Sequence, residues 1–132
     1  GLSICYEAAF SRLILEPVPT AKLLINISND AWFGRSISQD QHLQVARVRA
    51  LESGRYLLRA TNNGITAVID NMGQVVDRLP QFVPGTLRSK VELRQGSTVF
   101  VKFGFYPLLI IILSIFFLTG FMRFFFEKST ES

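Results

Sequence analysis

From Phe103 to Met122 the chain carries no charged residue, and its centre, Leu108-Leu109-Ile110-Ile111-Ile112-Leu113 followed by Phe116-Phe117-Leu118, is apolar on every helical face. About 20 residues at ~1.5 Å each span ~30 Å, the thickness of a bilayer's hydrocarbon core. The alternative is a buried core helix, but the rest of the chain is too small to enclose a helix this apolar. Lys102 precedes the stretch, Arg123 and Lys128 follow it, and Tyr106 stands at its entry, where an amphipathic ring prefers the interface. The expectation is one transmembrane helix over 103–123 and a short tail, 124–132, on the cytoplasmic side. Arg94 and Lys102 weigh against that orientation from the other end. The stretch also accounts for a chain that is 48% hydrophobic and only 18% charged.

The first hundred residues alternate strand-like and helix-like segments. Leu2 to Cys5 is a short apolar run, and Tyr6 to Leu15 has helical spacing until Pro17 stops it. Lys22 to Ser28 predicts a buried strand, and Asn29 to Ser36 a polar loop. Ser38 with Gln41 offers a capping box for a helix reaching Ser53, closed by Gly54. Tyr56–Ala60 and Ile65–Asp70 predict strands joined by a turn at Asn62-Asn63-Gly64. Asn71-Met72-Gly73 turns into Val75-Val76, and Thr86 to Leu93 supplies a last strand. This order predicts a layered α/β fold. The chain opens without Met on Gly1-Leu2-Ser3-Ile4-Cys5, so it is expected to be part of a larger domain.

The net charge of +4 is spread from Arg12 to Lys128 with no dense run, which argues against nucleic acid and favours a membrane surface. One cysteine and one histidine exclude an internal disulfide and leave too few ligands for zinc, so no metal or other cofactor is expected. A lone cysteine is by default a small buried hydrophobe. Cys5 differs in position: it ends a strand and precedes a helix, where backbone N–H groups favour a thiolate and provide oxyanion donors. Glu7 follows closely enough to position a substrate amine or shape the pocket, or simply to complement the helix dipole. His42 has no evident partner and is expected to be solvated or structural. Arg47, Arg49 and Arg55 form a basic set expected to be ion-paired within the domain, or alternatively to meet lipid headgroups, and Arg59 is placed to brace the loops.

Ile4-Cys5-Tyr6-Glu7, then Asn26-Ile27-Ser28-Asn29-Asp30-Ala31-Trp32-Phe33-Gly34, resembles the nitrilase, or carbon–nitrogen hydrolase, superfamily. The runs Gln41 to Glu52 and Leu58 to Asp70 fit the same pattern. With the terminal apolar helix, they look like the bacterial apolipoprotein N-acyltransferases. The resemblance implies that residues 1–102 are the C-terminal part of a nitrilase-like αββα sandwich. It also implies a reaction: an acyl chain passes from a phospholipid, typically phosphatidylethanolamine, through a cysteine thioester to the N-terminal amine of a diacylglyceryl-cysteine lipoprotein. Cys5 matches the nucleophile, Tyr6 and Glu7 the positions beside it, and the Tyr6 N–H an oxyanion donor. Trp32 matches an aromatic near the mouth, packing on acyl chains or alternatively in the core. Asn29 and Asp30 are expected to hold that loop through side-chain-to-backbone bonds. The implied partners are the phospholipid donor, the apolipoprotein acceptor and the bilayer. The implied location is the bacterial inner membrane, with the catalytic part facing the periplasm.

The superfamily's Glu–Lys–Cys triad places Glu and Lys upstream of Cys, and no residue of this chain matches them. The chain alone is therefore expected to be inactive and poorly folded, with sheet edges and one core face exposed. Two other readings compete: a membrane-tethered amidase or nitrilase, and a non-catalytic, decayed membrane-anchored product.

Overall fold

The computed structural model describes the backbone of residues 1–130 and the side chains of residues 1–122. It resolves into two compact units, Gly1–Val101 and Lys102–Ser132. The first unit is the expected α/β layer. Five strands, β1 (Leu2–Ile4), β2 (Leu24–Ser28), β3 (Leu57–Thr61), β4 (Ala67–Ile69) and β5 (Val75–Arg78), form one sheet in sequence order. β1, β2 and β3 run parallel, with Ser3 beside Asn26 and Asn26 beside Arg59. β3, β4 and β5 continue as antiparallel hairpins, with an irregularity at Val68/Ile69.

Each parallel crossover carries helix, as parallel strands require. The main one is α2 (Ser38–Ser53). Its buried positions Gln39, Leu43, Ala46, Ala50 and Ser53 recur every three or four residues, one stripe facing the sheet. Ala46 and Ala50 are small enough for close approach, and with Leu43 they join Ile14, Val18, Leu24, Leu57, Ile65, Ala67 and Ile69 in the core. Gly54 closes α2 in the left-handed conformation at φ +64°, its N–H donating to the carbonyls of Ala50 and Leu51. The Ser38 capping box does not form. Ser38 is already the first helical residue, so Ile37 holds the cap position and no side chain caps it.

Two further expectations are corrected. Tyr6–Leu15 is not one helix but a 3₁₀ turn, Cys5–Ala9, and α1 (Ser11–Leu15), separated by extended Phe10. Ala8 and Ile14 are both buried. Six residues apart on one straight α-helix they would point ~120° away from each other, and the break lets both face the core. Thr86–Leu93 is not a strand. Its composition suits a pleated surface, yet no strand pairs with it, and β-propensity without a partner fixes nothing. Just beyond its end, the Arg94 N–H donates to the Lys22 carbonyl.

The two faces of the parallel strands differ. β2 buries Leu24, Asn26 and Ser28 under the helices and leaves Ile25 and Ile27 exposed. Leu2 and Ile4 of β1 extend that apolar, uncovered face.

In the second unit the apolar stretch is helical, but it starts later than expected. Gly104 at φ +57° ends α3 (Val99–Phe103), and α4 runs from Tyr106 to Thr130 with Pro107 tolerated in its first turn. From Leu108 to Met122 its large apolar side chains are exposed. Among the described residues no helix is long and apolar enough to cross a membrane. Described side chains on α4 end at Met122, ~25 Å from its start and short of a ~30 Å core. The Arg123 and Lys128 side chains, on which the orientation rested, lie outside the described residues.

Candidate active site

Cys5 stands where β1 ends and the 3₁₀ turn begins, at φ +51°. A side chain rarely adopts this left-handed backbone, and it persists only where the surroundings hold it. Here they hold it from both sides. The Ile4 N–H donates to Glu7 Oε2 at 2.7 Å, so the Glu7 carboxylate turns back onto the backbone just before Cys5. The Asn26 amide donates to the Cys5 carbonyl at 3.4 Å and to Ser3 Oγ at 3.0 Å. The thiol itself is half-buried, with Ser28 Oγ 3.6 Å from Sγ.

Below Cys5 the sheet's helix-facing surface is polar. Arg59, on β3, donates one guanidinium nitrogen to Asn26 Oδ1 and another to Asp30 Oδ2 at 2.8 Å. Asp30 is fully buried. Its Oδ1 accepts the Ser28 hydroxyl at 2.6 Å and lies 3.2 Å from His42 Nδ1. Burial pushes the Asp30 carboxyl up, but the Ser28 hydrogen bond, the Arg59 charge and the His42 contact outweigh it and hold it below the ordinary carboxylate value. Gly64 completes the enclosure. A Cβ there would lie 2.8 Å from the Asp30 Cβ and Cγ and closer still to Oδ2, so only glycine lets the β3–β4 hairpin close over the carboxylate.

The expected roles of several neighbours are corrected by this geometry. His42 is not partnerless: it faces Asp30, while its ring packs on Tyr6 at 5.7 Å and edge-on to Phe33 at 4.9 Å. Asp30 does not hold its loop by side-chain-to-backbone bonds. Asn29 does, accepting from Ala31 N–H, and Asn62 joins the two loops by donating to Asn29 Oδ1 and accepting from Asp30 N–H. Of the three arginines, only Arg49 is ion-paired among the described residues, to Glu52. Arg47 donates to the Gly73 carbonyl. Arg55 lies beyond the helix and is buried against the carbonyls of Val18, Ala21 and Gly96. Arg59 does brace the loops, through Asp30.

Trp32 sits on a 3₁₀ turn, Ala31–Phe33, and is 84% exposed in this chain. Tyr6, 59% exposed, meets Phe10 edge-to-face. Gln39, buried at the start of α2, ties the surrounding loops together: it donates to the carbonyls of Gly34 and Asn63 and accepts from Gln81. Sequence reasoning missed the parts played by Ser28, Asn26 and Gln39. A polar residue at a strand or helix position that should face the core was the available signal.

Among known proteins, the sequence profile of the carbon–nitrogen hydrolase family matches residues 1–98. Apolipoprotein N-acyltransferases are similar throughout this region. The one from Nitrosomonas europaea is 51% identical over 104 residues, covering 79% of this chain and 21% of the relative. Those from Vibrio cholerae and Shewanella oneidensis are 48% and 47% identical, covering 80% and 92% of this chain and 21% and 23% of theirs. The chain thus spans about a fifth of the length of these relatives. In structure it is similar to the Caenorhabditis elegans NitFhit protein, at a TM-score of 0.51 and 28% identity over 61% of this chain and 22% of that one. A Nesterenkonia amidase of the nitrilase superfamily shares the fold at a TM-score of 0.50 and 21% identity, over 64% and 34% of the two chains.

Proposed function

The chain belongs to the carbon–nitrogen hydrolase family, and on that basis we propose that it is the C-terminal part of an apolipoprotein N-acyltransferase in which Cys5 carries the acyl group. The observation behind this is Cys5 itself, set at a left-handed strand-to-turn junction over a buried polar network. Relatives named apolipoprotein N-acyltransferase, about half identical over this region, supply the reaction class.

In this reading the Cys5 thiolate attacks a phospholipid acyl ester. The carbonyl oxygen becomes an oxyanion facing the Tyr6 N–H, and collapse expels the lysophospholipid alkoxide, which takes up the proton the thiol gave off, and leaves a thioester. The lipoprotein's α-amine then attacks the thioester, forming the amide, returning the sulfur as thiolate and giving up a proton. The base for that proton and the lysine that steadies the charge belong to the family's triad and match no residue of this chain. Glu7 acts through the backbone, fixing the turn that presents Cys5. Trp32, exposed beside the site's loops, offers its ring to acyl chains.

The exposed face of Leu2, Ile4, Ile25 and Ile27 supports the second layer of an αββα sandwich packing there. We assign 1–102 to the catalytic domain, 103–123 to a membrane anchor and 124–132 to a cytoplasmic tail. What supports the anchor is the uncharged run from Phe103 to Met122, most of which is helical in α4. The catalytic part then faces the periplasm from the inner membrane.

The test uses the intact gene product with phosphatidylethanolamine vesicles and a diacylglyceryl-cysteine peptide. Cys5→Ser is expected to lower N-acylation by roughly 10⁴-fold or more, by analogy with other nucleophile knockouts. Undiminished N-acylation would sink the assignment, and release of free fatty acid in place of N-acyl peptide would favour a hydrolase.

A further inference from the structure

Ser28 has one hydroxyl proton and two neighbours that compete for it, Asp30 Oδ1 at 2.6 Å and Cys5 Sγ at 3.6 Å. The carboxylate is the nearer and holds the proton while the thiol is neutral, which leaves the Ser28 oxygen to accept from S–H. A thiolate reverses this, because it can only accept. When the hydroxyl leaves, Asp30 keeps two partners, His42 at Oδ1 and Arg59 at Oδ2. A carboxylate facing His42 Nδ1 makes that nitrogen the donor.

We propose that Ser28 is a positioning residue for Cys5: its hydroxyl swings from Asp30 to the sulfur as the thiol ionises, and the His42–Asp30 contact makes that exchange possible. The inference rests on the reading of Cys5 as nucleophile. Nothing in it changes covalent bonds; one hydrogen bond is exchanged for another. The geometry is preset, because Ser28 is a buried strand residue in register with Thr61 and cannot move independently of the sheet. Charged and titratable groups reach the cluster from every element packed on it: Tyr6 and Glu7 from the 3₁₀ turn, Asp30 from the loop after β2, His42 from α2 and Arg59 from β3. Cys5, Tyr6, His42 and Arg59 also line one small cavity.

The experiment is alkylation of Cys5 by iodoacetamide in the intact protein, followed by mass spectrometry from pH 5 to 10. A hydrogen bond to a charged acceptor corresponds to about one pH unit. Ser28→Ala should move the midpoint of the rate profile up by less than that, because in the parent the same hydroxyl gives up its bond to Asp30, and Ser28→Thr should restore it. His42→Leu, which leaves Ser28 in place but deprives Oδ1 of its other partner, should move the midpoint in the same direction by less. Should Ser28→Ala fail to fold, the Thr and Leu variants decide. A midpoint unmoved in Ser28→Ala, or unmoved in His42→Leu, would overturn the proposal. Alkylation needs no acyl donor, so a protein that shows the shift yet never transfers acyl groups would refute the function and leave this inference standing.

Discussion

The left-handed backbone at Cys5 costs roughly 1–2 kcal/mol for a residue with a Cβ. That cost is met by buried polar groups, Asn26, Asp30 and Arg59, whose own burial is tolerable only because they satisfy one another. Breaking such a pair by removing one member costs about 3–5 kcal/mol, because the other is left buried and uncompensated. Asp30→Asn in the intact protein should therefore lower the thermal unfolding midpoint by several degrees. The same carboxylate predicts an acid limit. Its folded value lies below its unfolded one, so its stabilisation is complete above pH ~4 and is lost as pH falls through the lower, folded value. Unfolding midpoints measured from pH 7 to pH 3 should fall for the parent and fall less for Asp30→Asn. Parallel curves would contradict this.

Elements in this molecule are set more by their ends than by propensity. α2 stops where Gly54 takes φ +64°, and an added Cβ there would also meet the Thr98 methyl at 3.0 Å. Gly54→Ala should cost about 1 kcal/mol, readable as a lower denaturant midpoint with unchanged slope. That terminus was legible in the sequence because glycine is the residue that tolerates such a backbone. The break at Phe10 was not, because helical spacing over Tyr6–Leu15 is intact and only the core's demand for both Ala8 and Ile14 divides it. Thr86–Leu93 shows the converse: strand-like residues remain irregular where no neighbouring strand pairs with them.

At the scale of the whole molecule, the sheet of the first unit has one face covered by helices and another that is apolar and open. Leaving Ile25 and Ile27 uncovered favours association with any other apolar surface. The chain produced alone is expected to aggregate and to form no thioester at Cys5. Ile25→Thr with Ile27→Thr should reduce its light scattering without restoring activity, whereas in the intact protein the same pair should destabilise the fold. By itself the sequence determined the order of the five strands and the long helix α2 among them, the apolar final helix, the glycine-closed end of α2 and the family to which Cys5 points. These follow from local patterns, in which period, turn residues and short motifs are read within a few positions. The tertiary structure alone decided that Asp30 meets Arg59 and His42, that Ser28 lies against the sulfur, that Glu7 turns back to the backbone and that Trp32 is exposed. Those contacts join residues from different strands, loops and helices, so only packing of the sheet against α2 brings them within hydrogen-bonding reach.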